Sequence, residues 1–95
     1  MIRRVTIVVS PLVALICDGN DAQKHFAAAA LHRLAYNDDN KVAIAKAGGI
    51  PPLVALVRDG TDAQKTNAAW ALRNLAANCD DNEVLITKAK REAGI

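Results

Sequence analysis

Two histidines and two cysteines are the residues of this 95-residue chain most able to bind a metal or to form a disulfide. His25 and His32 lie seven residues apart in the sequence, which on a helix separates them by about 10.5 Å along the axis. One metal ion does not easily bridge that distance, and no cysteine or acidic partner completes a tetrahedral ligand set. Cys17 and Cys79 are too few for the disulfide framework of a small secreted domain. We therefore expect no metal site and two reduced thiols, as in a cytoplasmic or nuclear protein.

Acidic pairs and a glycine pair are the next residues that could carry chemistry. Asp38-Asp39 and Asp80-Asp81 each precede a short repeated segment, where acidic residues favour the start of a helix. Gly48-Gly49 lacks the spacing of a dinucleotide- or phosphate-binding loop. An enzyme needs a nucleophile, a base or a metal at reachable spacing, and this sequence offers none of them. We predict a protein without catalytic residues and without a cofactor.

Trp70 and Asn74 have side chains suited to binding a peptide. They are four residues apart and so share one face of a helix, and Asn67 and Asn78 extend the same row. A carboxamide can pair with both the N–H and the C=O of a peptide bond, and an indole offers a large rigid contact surface. The alternative is that Trp70 packs into a neighbouring helix and Asn74 is only solvated.

Composition and charge exclude several classes of function. Apolar residues make up 52% of the chain and aromatic residues 3%, a mixture typical of alanine- and leucine-rich helices. The net charge of +2 gives no argument for nucleic-acid binding, which usually shows as a clustered basic face. The basic and apolar start of the chain is too short to span a membrane and lacks a signal-peptide cleavage site. We expect neither a nucleic-acid nor a membrane partner.

An internal repeat of about 41 residues organises the chain. At an offset of 41, 17 of the 25 positions in 11–35 are identical in 52–76. This period is typical of two- and three-helix solenoids. Each unit predicts three helices: a short first helix over 40–47 that ends at Gly48-Gly49, a second that opens with Pro51-Pro52, and a third from about 62 to 78. Residues 1–9 are rich in β-branched side chains, and we predict an irregular or extended segment there.

The stretch from Asn40 to Ala77 resembles an armadillo repeat of the kind found in importin alpha and beta-catenin. The Gly-Gly-Ile-Pro-Pro-Leu-Val turn at 48–54 and the Ala-Ala-Trp-Ala-Leu-Arg-Asn-Leu-Ala stretch at 68–76 carry the resemblance. It covers about 85 of the 95 residues. It implies an all-α, right-handed armadillo-like solenoid of about five helices. The chain then divides into a partial repeat over 10–37, a complete repeat over 40–78 and the start of a further repeat over 81–95.

The resemblance also implies where a partner binds. In this family the third helices line a concave groove in which asparagines hold an extended peptide and tryptophans wall its pockets. The preceding unit has Arg33 and Asn37 where the complete repeat has Asn74 and Asn78. Because the basic residues outnumber acidic ones beside the row, we expect an acidic or neutral peptide. The candidate peptide-binding residues are Trp70, Asn74, Asn67, Asn78, Arg33, Arg73 and Asn37.

Two functions remain open at this stage. The first is a non-catalytic protein–protein interaction module that binds an extended peptide through the third-helix face. The second is a structural solenoid segment that self-associates or stacks on further repeats, because apolar residues such as Leu12 and Leu85 lie in units that lack a neighbour on one side. The second reading predicts a homo-oligomer that forms through uncapped repeat ends.

Overall fold

The structure, a computed structural model, describes the backbone of residues 2–95 and the side chains of residues 8–95. Within this range every regular element is a helix, as predicted for an armadillo-like α-solenoid. There are six of them, against the five or so expected from the sequence. They are α1 (Ile2–Asp18), α2 (Asp21–Leu34), α3 (Asp38–Lys46), α4 (Ile50–Asp59), α5 (Asp62–Ala76) and α6 (Asp80–Ala93).

The N-terminal segment corrects a prediction. Residues 1–9 were expected to be irregular or extended, but α1 begins at Ile2 and contains Pro11 in its interior; Met1 lies outside the described residues. The β-branched residues of this segment lower helix propensity by only about 0.7 kcal/mol each at most. Val9 and Ile16 are buried at helical spacing on the same side of α1, and this packing outweighs the propensity.

Matching caps begin α2 and α5, the third helices of the two units. Asn20 accepts a hydrogen bond from the backbone N–H of Gln23, and the Gln23 side chain accepts one from the N–H of Asn20. Thr61 and Gln64 form the same reciprocal pair at the start of α5. Each cap satisfies backbone donors that the first helical turn leaves unpaired, which stabilises the helix by about 1 kcal/mol. The two units therefore share the capping structure at the starts of α2 and α5 as well as much of the sequence of these helices.

The turn between α3 and α4 depends on both glycines of the predicted Gly-Gly stop. Gly48 has a φ of +79°, a conformation that side chains other than glycine rarely adopt. A Cβ on Gly49 would lie 2.8 Å from Cγ2 of Ile44, so the chain can pass this close to α3 only without a side chain. The turn brings α4 back against the core, with Pro51 and Pro52 in its first turn as predicted.

The core consists of leucine, isoleucine, valine and alanine side chains shared by all six helices. Among the largest fully buried side chains are Leu31, Ile44, Leu53 and Leu75. Fully buried alanines on α2 and α5 let these two helices lie close together, side by side. The exposed sides of the two helices consequently form one continuous surface.

Buried polar side chains join one repeat unit to the next. Asn82 Nδ2 donates to the carbonyl oxygens of Leu75 (3.0 Å) and Lys41 (3.2 Å). Lys41 Nζ donates to the Ala77 carbonyl at 2.7 Å. Gln64 Nε2 donates to the Asp21 carbonyl at 2.9 Å. The Leu75 and Ala77 carbonyls lie at the C-terminal end of α5, where a helix leaves carbonyls unpaired, and all of these bonds satisfy buried side-chain donors.

Candidate functional site

The exposed sides of α2 and α5 form the surface that we call the α2–α5 face. It contains all three aromatic side chains of the chain, Phe26, Tyr36 and Trp70, which are 64%, 69% and 45% exposed. Aromatic side chains usually provide core volume, but the core of this protein contains none. The face consists of His25, Phe26, Ala29, His32, Arg33 and Tyr36 from α2 and its C-terminal end, and Thr66, Asn67, Trp70, Arg73 and Asn74 from α5.

Trp70 is held in place by side chains from both helices. The imidazole of His32 on α2 stacks on its indole, with ring centroids 6.0 Å apart and planes 22° apart. The guanidinium carbon of Arg73 lies 5.1 Å from the indole centroid, within the range of a cation–π interaction. Trp70 therefore packs on the neighbouring unit, as one sequence interpretation had it, and still exposes almost half of its surface.

Tyr36 extends this cluster on the side of α2. Its ring centroid lies 5.7 Å from that of His32, and its hydroxyl lies 3.4 Å from His32 Nε2. The sequence analysis did not single out Tyr36 or His32 as binding residues. The signal was present in the sequence, because His32 and Tyr36 lie four residues apart and so share a helical face.

The two candidate asparagines of α5 each use their amide nitrogen on α2. Asn74 Nδ2 donates to the His32 carbonyl at 3.1 Å, and Asn67 Nδ2 lies 3.1 Å from Nδ1 of His25. Among the described residues no donor reaches the side-chain oxygen of either asparagine. The sequence hypothesis assigned both amide groups to a ligand. In the structure the nitrogens contact the neighbouring helix.

Two of the candidate residues lie beyond the helix ends, which corrects the predicted row. The third helix was expected to reach Asn78, but α5 ends at Ala76, and Asn78 adopts a left-handed conformation with φ 55°. Asn37 follows the end of α2 and caps α3, where its side-chain oxygen accepts from the Asn40 N–H at 3.2 Å. Asparagine favours such caps and turns because its short side chain bonds locally to the backbone.

The charge of the face is positive. The segments 25–36 and 66–77 contain Arg33 and Arg73 but no aspartate or glutamate. Arg33 and Phe26 line a shallow groove of about 480 Å³ together with Val8 and Leu12 of α1. Arg33 therefore lies on the outer flank of the face, whereas Arg73 lies beside Trp70 at its centre. The two arginines do not form a single anion pocket.

The family comparison matches the α5 part of this surface. Residues 37–77 match the Armadillo/beta-catenin-like repeat. This segment runs from the Asn37 cap through α3, α4 and α5 to Ala77. Residues 37–77 are therefore similar to an armadillo repeat. Proteins with armadillo repeats generally serve as non-enzymatic interaction modules or solenoid segments. No curated protein and no solved structure gives a significant match to the chain.

The remaining expectations about chemistry have the following structural setting. Cys17 is exposed and Cys79 half-buried, and both are free thiols. Among the described residues no group of three or more histidine, cysteine, aspartate or glutamate side chains is placed to hold a metal ion. None of the helices found within residues 2–95 has the length and apolar character needed to cross a membrane.

Proposed function

We propose that the α2–α5 face binds an extended peptide segment of a partner protein, and that the chain is a non-catalytic interaction module. The observation that carries the proposal is the placement of all three aromatic side chains on this one face. Exposed aromatic side chains dominate the binding energy of many protein interfaces. The armadillo repeat, a unit typical of protein-binding solenoids, supports the same function.

Trp70 supplies the main contact in this proposal. His32 and Arg73 already hold its indole, so little side-chain entropy is lost when a peptide packs against it. Asn74 contributes through its side-chain oxygen, which accepts a hydrogen bond from a peptide N–H whatever the peptide sequence. The Asn74 nitrogen keeps this oxygen in position by its bond to the His32 carbonyl.

The charge of the face favours an acidic or neutral peptide over a basic one. Arg73 lies at the centre and Arg33 on the flank of a surface without carboxylates, so a basic peptide would be repelled and an acidic one attracted. The contact is short because two third helices line it, and we expect a dissociation constant of about 10–100 μM.

The proposal can be tested with a library of extended decapeptides of acidic, neutral and basic composition. Trp70 is the single tryptophan of the chain, so its fluorescence reports directly on binding at the face. We expect acidic and neutral peptides to change the fluorescence and basic peptides not to. Calorimetry of the best peptide with the Trp70→Ala variant should show at least tenfold weaker binding.

A matched control is available on α6. Val84 is 68% exposed and lies outside the α2–α5 face, so Val84→Ala should bind the same peptide with unchanged affinity. If Trp70→Ala binds as tightly as the original chain, or if no peptide of the library binds, the proposed function is wrong.

A further inference from the structure

We propose that one copy of this chain binds a second copy head to tail, with the outer side of α5 in one copy packed on the outer side of α2 in the next. The two surfaces border the α2–α5 face, at Phe26 and Arg33 on one side and at Arg73 on the other, but they do not include Trp70, and the proposal does not depend on peptide binding. The C-terminal surface is centred on Ala69, Leu72 and Ala76 of α5. The N-terminal surface is centred on Ala30 and Leu34 of α2.

The contact between copies would repeat the packing between the two units inside the chain. On α2, Ala28, Leu31 and Ala35 are completely buried under the following unit. On α5, Ala71 and Leu75 are completely buried against the preceding unit. These two sets of side chains are the two halves of one interface between repeat units.

The same residues recur on the outer sides, where the two alanines are less covered. Ala69, Leu72 and Ala76 stand 41 positions after Ala28, Leu31 and Ala35 and are identical to them. Ala69 is exposed and Ala76 half-buried, whereas Leu72 is only 4% exposed; all three line a groove of about 380 Å³ between α5 and α6. The C-terminal surface therefore repeats the first half of the internal interface with its alanines less buried than their counterparts.

The N-terminal surface repeats the second half. Ala30 and Leu34 are identical to Ala71 and Leu75 at the same offset, but they are half-buried and line the groove beside Phe26. Inside the chain these two kinds of surface cover one another. On the outer sides they lie at opposite ends of the molecule. A second copy fits the grooves because it carries both halves.

A polar contact of the internal interface recurs as well. Gln64 is 2% exposed, and its Nε2 donates to the Asp21 carbonyl across the interface. The equivalent residues, Gln23 and Asp62, have the same identities and are exposed. Head-to-tail packing would give Gln23 of one copy the carbonyl of Asp62 in the other.

The order of the helices also favours this arrangement. The armadillo repeat consists of α3, α4 and α5. At the corresponding positions α6 matches α3, and residues 9–18 of α1 together with α2 match α4 and α5, whereas residues 2–8 of α1 have no counterpart in α4. When α6 of one copy is followed by α1 and α2 of the next, the three helices stand in the order of a complete repeat.

Two features make the contact between copies weaker than the internal one. Inside the chain, Asn74 binds the His32 carbonyl. At the junction between copies, Arg33 takes the position of Asn74 and Arg73 that of His32, so two positive charges meet there. The helix α6 has 14 residues against the nine of α3, and its last turn lies on α4, where Arg58 Nη1 reaches the Ala93 carbonyl. We therefore expect association to strengthen as salt screens the arginines.

The experiment measures the mass of the 95-residue chain by sedimentation velocity and light scattering between about 10 μM and 1 mM. We expect the mass to rise with concentration beyond that of a dimer, since head-to-tail contacts do not close after two copies. Ala30→Glu blocks the N-terminal surface and Ala69→Glu the C-terminal one. Each variant alone should remain monomeric.

Mixing the two variants gives the decisive result. Each retains one intact surface, so an equimolar mixture should form a one-to-one dimer and nothing larger. Circular dichroism checks that both variants fold, and Val8→Glu, at a side chain that lines the same groove and is already 49% exposed, replaces Ala30→Glu if that variant unfolds. Val84→Glu is the control and should associate like the original chain.

Three outcomes would overturn the proposal. The original chain could stay monomeric up to about 1 mM. The single variants could associate as strongly as the original chain, which would indicate a different interface. The mixture could remain monomeric, which would show that the two surfaces do not bind one another. None of these outcomes bears on peptide binding, because Trp70 is unchanged in every variant.

Discussion

The two repeat units differ mainly on the α2–α5 face and agree in the interface between them. Of the 25 positions compared between 11–35 and 52–76, 17 are identical, which leaves eight that differ. Five of those eight lie on the α2–α5 face, at the pairs 25/66, 26/67, 29/70, 32/73 and 33/74. Identity is thus retained in the interface between units, and variation is concentrated on the exposed face that we propose binds a partner.

Identical residues at equivalent positions of the two units are buried to different extents. Leu75 is completely buried because α2 covers it, whereas the equivalent Leu34 is half-buried beside an open groove. Ala28 is completely buried, whereas the equivalent Ala69 is exposed. Equal side chains therefore contribute differently to stability, since the contribution depends on the apolar area that a neighbour removes from water.

The largest expected effect tests this difference in burial. Leu75→Ala should lower the free energy of unfolding by about 2–5 kcal/mol, because it leaves a cavity between α5 and α2. Leu34→Ala should cost about half as much, since its side chain already borders solvent. Urea denaturation followed by circular dichroism measures both. Equal losses would show that the two units bury this leucine to the same extent.

The next effect concerns the prolines that begin or interrupt the second helices. Pro11 lies inside α1, so Pro11→Ala should raise the free energy of unfolding by about 1–3 kcal/mol. Pro51 lies in the first turn of α4, where it costs little, and Pro51→Ala should change stability by less than about 0.5 kcal/mol. A neutral Pro11→Ala would place the start of the first helix at residue 11 rather than at Ile2.

A smaller effect distinguishes the two capping glutamines. Gln64→Ala removes the glutamine half of the α5 capping box and the bond to the Asp21 carbonyl, and should cost about 1–3 kcal/mol. Gln23→Ala removes only the glutamine half of the α2 capping box and should cost about 0.5–1 kcal/mol. Thermal unfolding in dilute protein compares them. Similar values would mean that the bond between units adds nothing to the cap.

The smallest effect compares Asn74 with Arg33 at the same repeat position. Asn74→Ala should weaken binding of a decapeptide by about 1 kcal/mol whatever its charge, because the side-chain oxygen binds the peptide backbone. Arg33→Ala should weaken only acidic peptides, by about 0.5 kcal/mol, and less at high salt. Calorimetry with an acidic and a neutral peptide measures the pattern. If Asn74→Ala leaves the affinity unchanged, Asn74 does not hold the peptide.

Much of the fold could be predicted from local patterns. The proline pair at the start of α4, the Gly48-Gly49 stop and the repeated apolar spacing indicated where helices begin and end, because each acts through the backbone of its own segment. The failures arose where contacts overrode local preference. The β-branched start of α1 is helical since Val9 packs into the core, and α5 ends before Asn78 because asparagine favours the turn.

The sequence by itself determined the repeat, the all-helical class and the row of Trp70 and Asn74, since these depend on the order of residues along one helix. The tertiary structure alone decided which hydrogen-bonding groups and ring surfaces of that row are already in contact with α2. Only the packing of α5 on α2 joins the Asn74 nitrogen to the His32 carbonyl and stacks His32 on Trp70. It also decided which of two identical alanines is buried, because burial is a property of the neighbour across the interface and is not encoded in the residue that is covered.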